Sequence, residues 1–232
     1  MRNSQRAIAA LLGFVVGLMV VVAVWVRTGA PALPRLSGER TTKTFDFTDF
    51  DGVQVDCQCQ VTIERGDAWR ISVEMPVEVV DQFQVRRNGD VLTVGNEGPW
   101  LGGFDEDRSL QATITMPALD ALNHSGMSRL SFSGFDGSRL AIDASGAGEI
   151  RGAASRFDSL LLDMSGFGNI ELGDVTVTNA DVDLSGFGNV TLRMAGGRLR
   201  GEMSGFGSLE YYGTVGEESV EKSGFGSIRR RN

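Results

Sequence analysis

Hydrophobic and polar residues alternate through most of the chain after residue 41, with the period of two that β-strands require. The segments LAIDA (140–144) and LLLDM (160–164) show this alternation clearly. No stretch after residue 41 sustains a helical period, although VEVVDQF (77–83) has room for one helical turn. The pattern therefore predicts an all-β protein beyond the N-terminal region.

A Ser-Gly phrase, followed in most copies by Phe-Gly, recurs at intervals of 20, 20, 20, 19 and 19 residues. A fixed period of about twenty residues is typical of a solenoid, in which each unit stacks on the previous one. Glycine accommodates a positive φ at a bend because it has no Cβ atom. The phrase begins at six serines: Ser125, Ser145, Ser165, Ser185, Ser204 and Ser223.

The chain is thus expected to form a β-helix-like solenoid with coils of about twenty residues. Because coils stack at the strand spacing of ~4.8 Å, equal positions form rows along the solenoid. The serines form a row of hydroxyl groups, and four phenylalanines form an aromatic row: Phe167, Phe187, Phe206 and Phe225. Packing of each coil on its copy is sufficient to explain both rows.

The segment before the repeats, residues 41–118, is rich in strands but lacks the phrase. Its strand-like stretches include GVQVDCQCQVTI (52–63), and NGD (88–90) has the composition of a hairpin turn. Since a solenoid needs covered ends, this segment is expected to cap the repeat region, 119–232.

Residues 7–26 are twenty apolar residues without a charge, enough to span about 30 Å of bilayer as a helix. They predict one N-terminal transmembrane helix, within an anchor or signal at 1–27 that is followed by a linker at 28–40. The length favours an uncleaved anchor, and a cleaved signal peptide is the alternative. Arg2 and Arg6 place the N-terminus inside, so the bulk of the chain is expected to be extracytoplasmic, in the periplasm or at the cell surface.

Gly13 and Gly17 form a G-x-x-x-G motif in this apolar segment. Such a motif lets two membrane helices pack closely, which makes a homodimer through this face one interpretation. Two small residues in a membrane helix, without a partner, are the other.

The net charge of −8 argues against a nucleic-acid partner, since phosphate binding needs clustered lysine and arginine. The two cysteines, Cys57 and Cys59, are too few for a disulfide framework or a zinc site. At i and i+2 on a strand their Cα atoms would be ~6.5–7 Å apart, the upper limit for a disulfide. Two packing thiols are the favoured interpretation, and a strained redox pair is the alternative.

Five carboxylates occupy the same place in successive coils, two residues before each serine. Like charges ~5 Å apart repel one another unless they are exposed, screened or bridged by a cation. One hypothesis is that this acidic row binds Ca²⁺ or another hard cation, and the other is a solvated outer face. The row consists of Asp143, Asp163, Asp183, Glu202 and Glu221.

The loop 96–108 places Trp100 and Phe104 beside three acidic residues. Exposed aromatic side chains among carboxylates can mark a binding surface. Alternatively, Trp100 folds back as a plug on the solenoid.

No catalytic constellation is evident in the sequence. The Ser-Gly phrase lacks the G-x-S-x-G pattern of a nucleophile elbow, and His124 is the single histidine. A non-enzymatic protein without a cofactor is therefore expected.

Several segments resemble the putative auto-transporter adhesin, head GIN domain family: FDGVQV (50–55), VTIERGD (61–67), ITMPAL (114–119) and the serial S-G-x-G phrases. The similarity covers roughly residues 45–232. It implies a right-handed β-helix-like fold in bacterial envelope proteins, often behind a signal or lipoprotein sequence. It carries over no catalytic residues, and the family's biochemical function is largely unassigned. Phenylalanine after Ser-Gly departs from the small residues more common in the family.

The functional hypothesis is a membrane-anchored envelope module, either an adhesin-like binder of a glycan or protein or a structural protein. The first alternative is a scaffold that polymerises by stacking solenoid ends. The second is a polysaccharide-active enzyme on a β-helix, which would need paired acid and base groups in a cleft.

Overall fold

The computed structural model describes residues 37–96 and 109–231, which lie in one compact unit, Leu36–Asn232. These residues form eighteen strands and one short 3₁₀ turn, Val77–Val79, where the sequence allowed one helical turn. The strands are β1 (Arg40–Phe45), β2 (Gly52–Asp56), β3 (Gln58–Arg65), β4 (Arg70–Pro76), β5 (Phe83–Asn88), β6 (Val91–Asn96), β7 (Leu110–Met116), β8 (Ala121–His124), β9 (Met127–Ser133), β10 (Asp136–Ala144), β11 (Ala147–Ala153), β12 (Ser155–Met164), β13 (Phe167–Leu184), β14 (Phe187–Ala195), β15 (Arg198–Met203), β16 (Phe206–Thr214), β17 (Glu217–Lys222) and β18 (Phe225–Arg230).

The strands build a β-solenoid of stacked coils, which confirms the predicted architecture. In each coil one strand leads into the Ser-Gly corner and another leaves it, and each pairs in parallel with its equivalent in the next coil. Thus Asp163 lies beside Asp183 before the corner, and Phe167 lies beside Phe187 after it. A shorter third side, formed by the starts of β10 and β12 and the ends of β14 and β16, completes the coil.

The core runs along the inside of the coils, because alternate residues of every strand point inward. Ile142, Leu162 and Val182 stack inside the strands before the corner, and all three are buried. Each such side chain contributes roughly 1.5–3 kcal/mol by leaving water. The alternation read in LAIDA and LLLDM is thus the alternation of inward and outward positions in β10 and β12.

The corners are tight because successive backbones pass in direct contact. A Cβ atom added at Gly186 would lie 2.2 Å from the carbonyl oxygen of Gly166 in the preceding coil. At Gly188, φ is +154°, and a Cβ atom would lie 1.5 Å from the carbonyl oxygen of Gly168. Both glycines of the phrase are therefore required by the stacking itself.

The coils near the N-terminus are stacked out of chain order. The coil of β2 and β3 lies between the coil of β6 and β7 and the coil of β8 and β9, with parallel pairing on both sides. Antiparallel strands then extend the outer end: β4 pairs with β7, β1 with β4, and β5 with β6. The β5–β6 hairpin turns at Gly89, as NGD predicted.

The segment GVQVDCQCQVTI, predicted as one strand, is broken at Cys57, where the chain turns a corner. The favoured prediction of two free packing thiols is wrong, because Cys57 and Cys59 form a disulfide. The bend at Cys57 reduces their Cα–Cα distance to 5.5 Å, which lies within bonding range and below the extended-strand spacing assumed from the sequence. Both residues are buried.

Within residues 37–96 and 109–231, no helix is long and apolar enough to cross a membrane. The predicted transmembrane segment, 7–26, with Gly13 and Gly17, lies outside the described residues.

Candidate binding surface

One straight outer edge of the solenoid carries three parallel rows of side chains, and we call it the ladder edge. The Ser-Gly corners lie at its centre. On one side is the acidic row, and on the other is the phenylalanine row, Phe167, Phe187, Phe206 and Phe225. The rows exist because one coil contributes one residue to each, in register with its neighbours.

The phenylalanine row is exposed although it is apolar. The exposed fractions of Phe167, Phe187, Phe206 and Phe225 are 51%, 40%, 47% and 79%. Met127, which occupies the same position two coils before Phe167, is 49% exposed. An apolar stripe therefore runs along the solenoid from Met127 to Phe225. Ala147, between Met127 and Phe167, is its one small side chain.

The four rings form a continuous stack. Neighbouring centroids are 5.1, 4.8 and 5.2 Å apart, and the ring planes differ by only 8°, 2° and 16°. The faces of the inner rings are consequently turned toward each other, so the row presents mainly ring edges to solvent. Only the outward faces of Phe167 and Phe225 have no stacked phenylalanine.

The acidic row is in register as predicted: Asp143, Asp163, Asp183, Glu202 and Glu221 pair in succession. Desolvation, together with the charges of Asp183 and Asp143, raises the pKa of Asp163. Within the described residues, no three acidic, histidine or cysteine side chains are grouped closely enough to hold a metal ion. The cation hypothesis stays a prediction.

We expect Asp163→Asn to stabilise the fold, because it removes a charge with like charges on both sides. The pKa of Asp163 is raised in the folded state. Its negative charge therefore destabilises the fold most at pH values well above that pKa, and the destabilisation declines as the pH falls through it. At neutral pH the gain should be ~0.2–1 kcal/mol, measured as a small rise in Tm.

The matched control is Asp158→Asn, an exposed aspartate of the same strand outside the acidic row, which should leave Tm unchanged. If Ca²⁺ bridges the row, it should raise the Tm of the native chain more than that of Asp163→Asn. If added Ca²⁺ leaves the Tm of the native chain unchanged, the cation hypothesis is ruled out.

A polar row lies beside the phenylalanine row, two residues further along each strand. We call it the amide row, and it consists of Asn169, Asn189, Ser208 and Ser227. Asn189 donates from Nδ2 to Oδ1 of Asn169 at 3.1 Å, and Ser208 donates from Oγ to Oδ1 of Asn189 at 2.7 Å. Ser227 continues the row in the last coil. Sequence reasoning missed this row, although the repeated Asn after Phe-Gly was a signal for it.

A separate groove of about 440 Å³ lies on another part of the surface. It arises where β13 has extra residues between Leu172 and Thr176 relative to β14. Arg193 donates from Nε to the Gly173 carbonyl at 2.5 Å, with its guanidinium 5.9 Å from the centre of the Tyr212 ring. No histidine or cysteine is among the lining residues, which are Arg151, Gly152, Ala153, Glu171, Gly173, Asp174, Thr191, Arg193 and Tyr212.

The single histidine is buried inside the solenoid, beneath the Ser-Gly corners. His124 is 3% exposed, its Nε2 has no protein hydrogen-bond partner, and burial lowers its pKa. In later coils the equivalent position holds Ala144 and then Met164, which are apolar. His124 is therefore part of the core.

We expect His124→Met to reduce the acid sensitivity of the fold. Buried His124 stays neutral in the folded chain, whereas in the unfolded chain the same side chain takes up a proton near pH 6.5. Its contribution to the free energy of unfolding is therefore fully present above that pH. The contribution is lost as the pH falls toward the lowered pKa of the folded state. Between pH 7.5 and 5.5 the native chain should lose about 1 kcal/mol more than the variant in urea unfolding. Equal losses would show that His124 is protonated equally in both states.

Trp100 and Phe104, proposed from the sequence as a binding surface, lie outside the described residues. The described part of the molecule brings together the acidic, serine and phenylalanine rows on one edge. The sequence predicted these rows but did not distinguish an exposed phenylalanine row from a buried one.

Comparison with solved structures identifies proteins of the same fold. A putative adhesin from Bacteroides fragilis is 19% identical, with a TM-score of 0.67, covering 84% of this chain and 98% of its own. A putative lipid binding protein from Parabacteroides distasonis is 17% identical, with a TM-score of 0.50, covering 84% of this chain and 98% of its own. A search of curated proteins found no match.

The family assignment rests on a direct match to the sequence. The model of the putative auto-transporter adhesin, head GIN domain family matches residues 49–214, well over half of the chain. The same segment contains most of the coils and most of the ladder edge. The chain therefore belongs to the putative auto-transporter adhesin, head GIN domain family.

Proposed function

We propose that this protein is a membrane-anchored, extracytoplasmic β-solenoid that acts by binding, as an adhesin, and not by catalysis. The observation that carries this proposal is the ladder edge, an ordered apolar stripe exposed to solvent beside a row of carboxylates. Contiguous exposed apolar surface of this kind typically marks an interaction site. Family membership supports the same conclusion.

The arrangement of charged groups supports binding over catalysis. Polysaccharide-active enzymes need an acid and a base that face each other across a substrate. In the described residues, the carboxylates of the ladder edge stand side by side along a convex corner. A polymerising scaffold remains the alternative, since the last strands, β17 and β18, have no further strand beside them among the described residues.

Two features support an extracytoplasmic location. The uncharged segment 7–26 has the length of a membrane anchor. The Cys57–Cys59 disulfide is of a kind that persists in oxidising compartments outside the cytoplasm. We therefore place the solenoid in the periplasm or at the cell surface, held by residues 7–26 in the cytoplasmic membrane.

The ladder edge favours a protein ligand over a glycan. Sugars bind aromatic side chains by lying on a ring face, and the inner faces of the phenylalanine row are covered by their neighbours. Ring edges offer apolar contact area without such a platform. A protein surface with its own apolar side chains is the better complement.

Binding is tested with the full chain reconstituted in lipid nanodiscs and mixed with vesicles prepared from bacterial envelopes. The double variant Phe187→Ser/Phe206→Ser should weaken saturable vesicle binding at least tenfold, because it removes the centre of the phenylalanine row. Leu161→Ser is the matched control, since Leu161 is 44% exposed and outside the row. Equal binding by all three proteins would overturn the assignment of the ladder edge as the binding surface.

The anchor is tested with alkaline phosphatase fused to the C-terminus, an enzyme active only after export. Fusions with the native segment 7–26 should be active and sediment with membranes. Val16→Arg/Val21→Arg, which charges the segment, should abolish both properties. Activity in a soluble fraction would instead indicate a cleaved signal peptide.

A further inference from the structure

We propose that the ladder edge binds the ladder edge of a second copy of this chain, with the two solenoids side by side and their axes parallel. This inference rests on the proposed function, because it names the partner of the same surface. Its elements are the exposed phenylalanine row, the two rows that flank it and the common spacing of the coils.

The apolar stripe supplies about two thirds of the area of a small dimer interface. A phenylalanine side chain can bury ~200 Å², so four rings that are about half exposed offer roughly 400 Å² per copy. The acidic and amide rows on either side add a polar rim. Two such surfaces together offer about 800 Å², so the flanking polar rows must bury roughly 400 Å² more to reach the ~1,200 Å² at which specific protein–protein interfaces begin.

The spacing of the rows favours a second copy over an unrelated protein. A partner must present apolar groups along a straight line at the interval of the stacked rings, which is 4.8 to 5.2 Å. This interval is that of neighbouring β-strands, so another stack of strands reproduces it. A second copy has the same interval over the same number of coils.

The flanking rows determine the relative orientation. The acidic row lies on one side of the phenylalanine row and the amide row on the other. If the two-fold axis runs along the solenoid, each coil faces the same coil of its partner. The carboxylates of the acidic row then face the asparagine and serine side chains of the amide row in four coils, and Asp143 faces Glu149 in the first. If the copies are antiparallel, acidic row faces acidic row.

Hydrogen-bond chemistry favours the parallel arrangement. Carboxylates accept hydrogen bonds, and each asparagine side chain of the amide row carries two N–H groups. Asn189 uses Nδ2 for Asn169, which leaves its second N–H for a partner carboxylate. The antiparallel arrangement would place more negative charge beside Asp163, whose pKa is already raised by desolvation and by the charges of Asp183 and Asp143.

The predicted G-x-x-x-G contact at Gly13 and Gly17 is a separate route to a dimer, in a part of the chain that the structure does not describe. The ladder edge and the anchor can therefore be separated by experiment.

Mass and affinity are measured on the full chain in detergent by analytical ultracentrifugation. The native chain and the control Leu161→Ser should form a dimer, and Phe187→Ser/Phe206→Ser should raise its Kd at least tenfold. Circular dichroism verifies that each variant keeps its strand content. A native monomer overturns the proposal, and so does a dimer that survives Phe187→Ser/Phe206→Ser but is lost in Gly13→Leu/Gly17→Leu.

Orientation is measured by oxidative cross-linking of Phe167→Cys and Phe225→Cys variants, which place a thiol at either end of the phenylalanine row. Parallel copies should cross-link within each variant and not in mixed Phe167→Cys and Phe225→Cys pairs. Predominantly mixed pairs would overturn the parallel arrangement.

Binding to vesicles from cells that lack this chain separates the dimer proposal from the proposed function, because such vesicles offer no second copy to bind. Phenylalanine-dependent binding to such vesicles, combined with a monomeric chain, would retain the proposed function and reject the second copy as partner. Competition of that binding by soluble envelope polysaccharide would assign the edge to a glycan.

Discussion

Gly186→Ala should destabilise the solenoid by about 3 kcal/mol or more, because its methyl group would enter the backbone of the preceding coil. The added Cβ atom would lie 2.2 Å from the Gly166 carbonyl oxygen. That oxygen also accepts the hydrogen bond of the Phe187 N–H at 2.9 Å, so it cannot move away without breaking the corner. Urea unfolding followed by circular dichroism should show the loss, and Tm should fall by roughly 6–12 °C.

Gly173→Ala is the matched control for this prediction. The nearest atom to its added Cβ is Cγ2 of Thr191 at 3.5 Å, an ordinary contact. Its free energy of unfolding should change by less than ~0.5 kcal/mol. If Gly186→Ala were equally mild, the corners of neighbouring coils could not be stacked in backbone contact.

Phe132→Ala should cost about 3–5 kcal/mol, the second large effect expected in this molecule. The Phe132 ring is 1% exposed and lies between Ile63 and Gly152 of the adjoining coils. It fills the space that glycine leaves, since a Cβ atom at Gly152 would approach the ring to 2.5 Å. Removal of the ring leaves a cavity that the flanking coils cannot close.

Phe187→Ala is the comparison for Phe132→Ala, because it removes the same ring from the ladder edge. It loses mainly stacking with Phe167 and Phe206, so about 1 kcal/mol is expected. Unfolding in urea at the same pH measures both. Equal losses from the two substitutions would mean that the phenylalanine row serves the fold, which would weaken its assignment as a binding surface.

The repeat made much of this structure predictable. When one phrase recurs every 19 or 20 residues, each copy fixes one coil, and register follows from the alignment of the copies. This is why Asp163 beside Asp183 and Phe187 beside Phe206 could be predicted before the coils were seen. The alternation around Ile142 and Leu162 likewise identified both segments as strands.

Other features depend on contacts that no local pattern records. The disulfide forms because the chain bends at Cys57, and that bend lies against the Gly126 corner of the neighbouring coil, which is distant in sequence. The phenylalanine row could not be placed outside from its composition, since phenylalanine is usually buried. Burial of His124 follows from its register with Ala144, at a position where later coils carry apolar residues.

The out-of-order stacking near the N-terminus has a consequence for how the chain folds as it is made. The coil of β2 and β3 is synthesised early, but both of its neighbours, β6–β7 and β8–β9, come later in the chain. Because pairing over a long separation must first overcome the entropy of loop closure, we expect this assembly to be the slow step of folding. Once it is complete, each later coil meets a finished edge and adds by local contacts alone. We therefore expect folding to be slow at the N-terminal end and then to proceed rapidly, coil by coil, toward the C-terminus.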